Sequence, residues 1–342
     1  MFQETLGTMR AKTERVTRLA AFIAAEAALA EADAADAVRA AQLAKADLVT
    51  NAVVEFTSVQ GVMGSYYAAA SGESDQVAQA IADHYRPRFA GDELPASQVG
   101  RVVAMADKLD TICGLFAVGQ APTGSSDPFA LRRAALGILS ILDAGLPVAL
   151  GPAVDESLGI YAADGLDFDA AAVRAEVMEF FLTRQRVMLR DAGVAADVID
   201  AVLAAGVEEP VTLAKRSFAL RAAREDQAEA FEDLATAFAR ANNLRDADAG
   251  TAFDEGMLSD VEADLARAVE AADAAVAEAL AADDYPAALA ALAGLRASID
   301  AFFESTMIMD EDLTVRANRM RLLNAFVAVF ANVADFGQMS KK

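Results

Sequence analysis

Few residues in this sequence could do chemistry. There is one histidine, His84, and one cysteine, Cys113. A single imidazole excludes zinc sites built on histidine pairs. It also makes a Ser-His-Asp hydrolase a poor fit, since no G-x-S-x-G turn occurs. A single cysteine excludes an internal disulfide and any paired-cysteine zinc motif. Cys113 lies in the apolar run Thr111-Ile112-Cys113-Gly114-Leu115-Phe116. It therefore reads as a packed thiol, because a reactive one needs an electropositive, accessible setting. Gly119 to Gly124 has the glycine spacing of a phosphate loop, but Ser125 occupies the lysine position. Without that lysine the segment reads as a loop between helices.

The helix containing Ala106-Asp107-Lys108-Leu109-Asp110 resembles the last metal-ligand segment of the HD superfamily of phosphohydrolases. Those enzymes place a histidine, a His-Asp doublet and a distant aspartate on neighbouring helices around one or two metals. Asp107 matches the distant aspartate. The doublet falls at Ala46-Asp47, so its histidine is an alanine. His84 stands either for another histidine of the pattern or for a loop-edge residue. One histidine and two carboxylates could still hold a divalent ion, which makes a metal-dependent HD phosphohydrolase the rival enzyme reading. The substituted doublet favours an HD-like scaffold whose chemistry is gone. Asp47, His84 and Asp107 are then degenerate positions, with no metal and no catalytic residue expected.

A broader resemblance covers the chain from about Phe2 to Phe336 and is densest from Leu43 to Leu142. Leu43-Ala44-Lys45-Ala46-Asp47-Leu48-Val49-Thr50, Gln60-Gly61-Val62-Met63-Gly64 and Asp83-His84-Tyr85 are similar to segments of the β subunit of bacterial glycyl-tRNA synthetase. So are Pro87-Arg88-Phe89-Ala90-Gly91-Asp92-Glu93-Leu94-Pro95 and Pro122-Thr123-Gly124-Ser125-Ser126-Asp127-Pro128-Phe129-Ala130-Leu131-Arg132-Arg133. The last third resembles the anticodon-binding bundle which that subunit shares with arginyl-tRNA synthetase. Ala239-Arg240-Ala241-Asn242-Asn243-Leu244 sits at a basic Lys-Arg-x-x-Asn-Ile run, with alanine for the lysine, so Arg240 and Asn243 carry over. Phe302 to Met309 and Arg316-Ala317-Asn318-Arg319 match the closing helices.

The resemblance implies a division of labour. The α subunit carries the class II site that activates glycine with ATP and magnesium, and the β subunit captures tRNA(Gly). A full β subunit has a further large N-terminal portion, so the sequence reads as the C-terminal part. The implied partners are tRNA(Gly), the α subunit and the rest of the β subunit in an α2β2 assembly, in the cytoplasm, with no DNA or membrane and no cofactor in this chain. A module that only docks subunits is a third reading. RNA capture needs cations for phosphates and exposed polar or aromatic groups for unpaired bases. The candidates are Lys108, Arg132 and Arg133 in the HD-like part, and Lys215, Arg216, Arg240, Asn243, Arg316 and Arg319 in the bundle. Arg316 and Arg319 are spaced to share a helix face. Tyr66 and Tyr67 read as core or subunit contacts.

The elements that must position these residues are helices. Of 342 residues 55% are hydrophobic, many of them alanine, with no Trp and sparse Gly (20) and Pro (8), a composition that points to an all-α fold. Amphipathic spacing predicts helices at 8–32, 36–56, 66–70, 74–85, 97–118, 129–142, 169–192, 195–205, 211–243, 259–282, 285–307 and 312–336. Asp127-Pro128 is read as an N-cap with proline in the first turn, and 146–168 as an irregular connection. Pro210 lies beside a polar stretch, which suggests an HD-like domain over 1–206 and an anticodon-binding bundle over 207–342. The net charge is −23, which opposes nonspecific nucleic-acid binding. Residues 246–312 alone carry 17 acids against Arg267 and Arg296, leaving local basic patches feasible elsewhere. The charged N-terminus lacks a signal-peptide core, and no uninterrupted apolar run reaches the ~18 residues that span a bilayer.

Overall fold

The computed structural model describes residues 3–89, 91–226 and 228–339. Among them the regular elements are α-helices and 3-10 turns, with two isolated bridges and no strand. The chain divides into two compact units. One runs to Gln185 and takes in Glu209–Val211; the other holds Arg186–Glu208 and the residues from Thr212 onward. The first crossing falls inside a helix, and the chain crosses twice more, once on either side of Pro210.

The first unit opens with α1 (Met9–Glu26), capped by the Thr8 hydroxyl, which accepts from the Ala11 amide. Helix α1 stops at Glu26, short of the expected residue 32, because Ala28 turns left-handed at φ 51°. Helix α2 (Glu31–Leu43) follows. The single helix expected over 36–56 is broken into α2, a 3-10 turn at Ala46–Val49 and a short α3 (Asn51–Glu55). The break has a cause. Asp47 is buried, and its Oδ2 accepts the amides of Gly61 at 2.6 Å and Gly64 at 3.0 Å. Those amides belong to the start of α4 (Val62–Ala70). A Cβ on Gly64 would meet Ile81 at 2.9 Å and the Asp47 carboxylate at 3.1 Å, so only glycine permits this approach.

Helix α5 (Asp75–Asp83) is capped by Ser74. Helix α6 (Gln98–Ala117) is capped by Ser97 and buried almost all round from Val99 to Phe116. A helix apolar on every side belongs in a core, and α6 packs against α1, α2, α5, α7 (Leu131–Asp143) and α8 (Leu150–Ala163). Helix α7 starts two residues later than expected. Ala130 adopts a left-handed conformation, and the Asp127 carboxylate reaches past it to the amides of Leu131 and Arg132. Helix α8 corrects the irregular connection read over 146–168. Pro152 lies in its first turn, where a missing amide is harmless, and Glu209 accepts from the Leu150 and Gly151 amides at 2.8 Å each. Helix α9 (Ala170–Asp191) carries the chain into the second unit.

The second unit continues with α10 (Ala196–Ala204), α11 (Pro210–Asp226) and α12 (Ala228–Leu244). Helix α13 (Asp260–Ala281) has a reciprocal capping box between Ser259 and Glu262, so the acidic tract is helical. Helices α14 (Tyr285–Ala293) and α15 (Arg296–Ser305) replace one expected helix, parting at Gly294. Tyr285–Ser305 is the one stretch among the described residues whose length and hydropathy would suit a membrane span. Leu289, Leu292, Ile299 and Phe302 from it are buried within the protein. Helix α16 (Leu313–Ala331) closes the unit. Its core is aromatic: Phe238, Phe326, Phe330 and Phe336 meet at centroid distances of 5.0–5.8 Å. The Asn324 amide of α16 donates to Asp246 O and Gly250 O, and Asn318 bonds Asp254 through both its carbonyl and its amide. These bonds hold the 246–256 turn in place.

Candidate functional site

Of the three HD-like positions two come together: His84 and Asp107 share a partner, while Asp47 bonds the Gly61 and Gly64 amides. His84 ends α5 and is fully buried, Asp107 lies midway along α6, and Asp47 sits in the turn after α2. A lysine that the sequence reading passed over stands between His84 and Asp107. Lys45 Nζ is 2.7 Å from His84 Nε2 and 2.9 Å from Asp107 Oδ2. It also lies 3.9 Å from the centroid of the Tyr85 ring. The His84 Nδ1 is 2.6 Å from Ile81 O. A carbonyl can only accept, so Nδ1 carries the hydrogen and Nε2 offers its lone pair to Lys45.

Burial and the neighbouring Lys45 cation push the His84 pKa down to about 3, so the ring is neutral. Burial also lowers Lys45, against the pull of Asp107. Burial opposes the Asp107 carboxylate, yet Lys12 and Lys45 outweigh it and hold its pKa well below the usual range. Lys12 Nζ lies 3.1 Å from Asp107 Oδ1 and 3.0 Å from Asp110 Oδ2, and Arg15 Nε donates to Asp110 Oδ1 at 2.8 Å. The result is a chain of alternating charges, Arg15–Asp110–Lys12–Asp107–Lys45, in the centre of the unit. Buried charges survive only when paired in this way. Among the described residues no group of three or more His, Cys, Asp or Glu side chains stands together as a metal cluster.

A pocket of about 730 Å³ touches the chain of charges at Asp107 alone, with Tyr85, Arg86, Lys108, Phe129 and Arg133 among its other lining residues. Lys108 is an interior group: its ammonium donates to His84 O and Arg86 O, and burial lowers its pKa to about 8. Arg132 Nη2 donates to Gly124 O at 2.7 Å. Arg133 is exposed and makes no hydrogen bond or ion pair within the described residues. Cys113 is buried, which pushes its thiol up to about 12, the packed state expected of it.

In the second unit the candidates separate by how far the protein itself engages them. Arg319 is drawn inward, pairing with Glu262 and Asp310 and donating to Met307 O. Lys215 pairs with Asp283, and Arg216 donates to Asn332 O. Arg240 is exposed, with its guanidinium 4.1 Å from the Phe303 ring centroid. Asn243 is exposed and Arg316 partly so, and neither has a hydrogen-bond or ion-pair partner among the described residues. Tyr66 and Tyr67 are exposed, along with Val49, Val54, Phe56 and Val62, so they are not core residues.

Residues 1–204 match the model of a family described as glycyl-tRNA synthetase beta subunit, and residues 231–336 match that of the DALR anticodon binding domain. Similar proteins named glycine–tRNA ligase beta subunit include one from Vibrio cholerae, 44% identical over 347 residues, covering 100% of this chain and 49% of that protein. One from Haemophilus influenzae is 45% identical over 341 residues, covering 98% and 48%. One from Chromohalobacter salexigens is 42% identical over 346 residues, covering 100% and 49%. The chain spans about half the length of the curated relatives it matches.

Proposed function

This chain belongs to the glycyl-tRNA synthetase beta subunit family, and on that premise we propose that it captures tRNA(Gly) for glycylation carried out with a catalytic α subunit. Residues 1–206 act as an HD-like scaffold without chemistry of their own, and residues 207–342 act as the anticodon-binding bundle. ATP and magnesium are used on the α subunit, and the assembly is α2β2 in the cytoplasm. The observation that carries this reading is the state of the bundle's polar groups. Arg240, Asn243 and Arg316 sit within the segment that matches an anticodon-binding model and make no hydrogen bond or ion pair among the described residues, Arg240 resting on the Phe303 ring.

The phosphohydrolase reading is not favoured, because the groups that would hold a metal are bonded to lysines and amides. A docking role has specific support within the first unit. Val49, Val54, Phe56, Val62, Tyr66 and Tyr67 form an exposed apolar run of sequence with Glu55 as its only exposed charge. Such runs mark protein contacts, and we assign this one to the rest of the synthetase assembly.

Fluorescence anisotropy with labelled tRNA(Gly), repeated across a salt series, tests the proposal. Replacing Arg240, Asn243 and Arg316 together with alanine is expected to weaken binding and to lower the salt slope by about two, one per arginine–phosphate contact. Undiminished affinity in that variant would discard these residues. Absence of binding at low salt by the wild-type chain with the α subunit present would discard the function.

A further inference from the structure

We propose that the Lys45 ammonium is a built-in cation that takes the place of a divalent metal between His84 and Asp107. On this view Lys45, and not merely the missing doublet histidine at Ala46, closes the position between His84 and Asp107 to a metal.

The His84 lone pair and Asp107 Oδ2 already have a protein donor, and Asp107 Oδ1 has a cation beside it, whereas Asp47 Oδ1 is buried without a hydrogen-bond partner. The His84 ring has a single lone pair, at Nε2, and Lys45 Nζ holds it at 2.7 Å. Asp107 Oδ2 takes Lys45 at 2.9 Å, while Oδ1 faces Lys12 at 3.1 Å. Asp47 Oδ2 is tied to two backbone amides. The surrounding charge works in the same direction. Lys12, Lys45 and Lys108 are all buried here, and a dication among three ammonium groups meets strong repulsion at low dielectric.

The ammonium also does a metal's mechanical work. It reaches out from the turn after α2, binds the imidazole at the end of α5 and the carboxylate on α6, and rests on the Tyr85 ring. Three elements are therefore joined at one cationic centre. The corollary is a latent site. With the Lys45 side chain removed, an imidazole nitrogen and a carboxylate oxygen face one vacated position, and such a pair suits a borderline divalent ion such as Co²⁺.

His84 is the only histidine of the chain, so in the untagged protein its ring signals can be read by ¹⁵N NMR without ambiguity. In the wild type we expect the Nδ1–H tautomer with Nε2 accepting, and no change in the ring signals on addition of equimolar CoCl₂. In Lys45→Ala we expect Co²⁺ to shift and broaden them, with binding at least tenfold tighter than to wild type, and this gain should vanish in Lys45→Ala/His84→Gln. Lys45→Met, with an apolar side chain of similar length, covers the case in which the alanine variant fails to fold. Three results would overturn the proposal: Co²⁺ perturbing His84 in the wild type, a hydrogen on Nε2 in the wild type, or a folded Lys45 variant whose His84 ignores Co²⁺. The wild-type measurements stand whatever the variants do.

Discussion

Two lysine–aspartate pairs, one from each unit, have nearly the same geometry and opposite surroundings. In the first unit Lys12 and Asp110 meet at 3.0 Å with side chains 4% and 2% exposed. In the second, Lys215 and Asp283 meet at 2.7 Å with side chains 49% and 58% exposed. Distance alone would rank the second pair higher. Solvent reverses that order, because water screens and competes for the exposed pair, while the buried one leaves a stranded charge when either partner is lost. The difference separates charges that belong to the fold from charges that remain available to a ligand. In the first unit, His84, Asp107 and Asp110 are bonded within the fold. In the second, Arg240 and Arg316 make no hydrogen bond or ion pair among the described residues.

The contrast is broken most directly at Asp110. Its carboxylate serves Lys12 and Arg15 together. Asp110→Ala is expected to destabilise the first unit by about 3–5 kcal/mol, read from the urea midpoint by circular dichroism. A loss under about 1 kcal/mol would mean that water enters the network and that it is no more structural than the surface pair.

A smaller effect is expected from pH. The His84 pKa is about 3 in the folded chain, against 6.5 as its ordinary value. The folded state therefore holds fewer protons than the unfolded state between those limits, and stability falls as pH drops from 6.5 towards 3. Carboxylates held low in the fold begin to cost stability only below about pH 5, so the window from pH 6.5 to 5 reports chiefly on the histidine. About 2 kcal/mol should be lost across it. His84→Gln should flatten that slope, and a variant as steep as wild type would show that the imidazole is not held neutral.

These tests turn on residues of uneven legibility. Asp47, His84 and Asp107 could be read as a set from their motifs, but the structure joins only His84 and Asp107, through Lys45, and gives Asp47 to the Gly61 and Gly64 amides. Lys45 was in plain view beside Ala46-Asp47, but nothing in a linear sequence says that its four-carbon stem reaches between two helices. The same limit applies to the elements. Helices α5 and α6 were legible because their caps, Ser74 and Ser97, are local. Helix α8 was missed because its cap comes from Glu209, far along the chain. The 36–56 helix was overextended because the long-range demand of the Gly61 and Gly64 amides outweighs local alanine propensity. Arg316 and Arg319 share spacing but not state, since only the folded bundle brings Glu262 and Asp310 to Arg319.

Packing around the network offers a finer test. Tyr161 of α8 donates to Asp110 O at 3.0 Å and lies under the Arg15 guanidinium, 4.4 Å from ring centroid to Cζ. A Cβ at Gly114 would collide with the Tyr161 hydroxyl. Alanine gains about 1 kcal/mol of helix propensity over glycine, but overpacking a tight core costs about 1–3 kcal/mol. Gly114→Ala is therefore expected to lose about 1 kcal/mol net, seen as a lower melting temperature. Stabilisation would show that Tyr161 moves aside freely and that the charged chain does not depend on it.

The smallest stability effect should come from the surface pair. Lys215→Ala removes one partner of a contact that is half in water, so its unfolding free energy should stay within about 0.5 kcal/mol of wild type. Its effect on RNA is the informative part. If Lys215 is available to a phosphate, it must leave Asp283 first, and Asp283→Asn should then strengthen tRNA(Gly) binding while Lys215→Ala weakens it. Opposite signs in the two variants at low salt, converging as salt rises, would place Lys215 with Arg240 and Arg316 as a ligand group. Matching small effects in both would place it with Arg319, as a cation spent on the fold although its side chain is exposed.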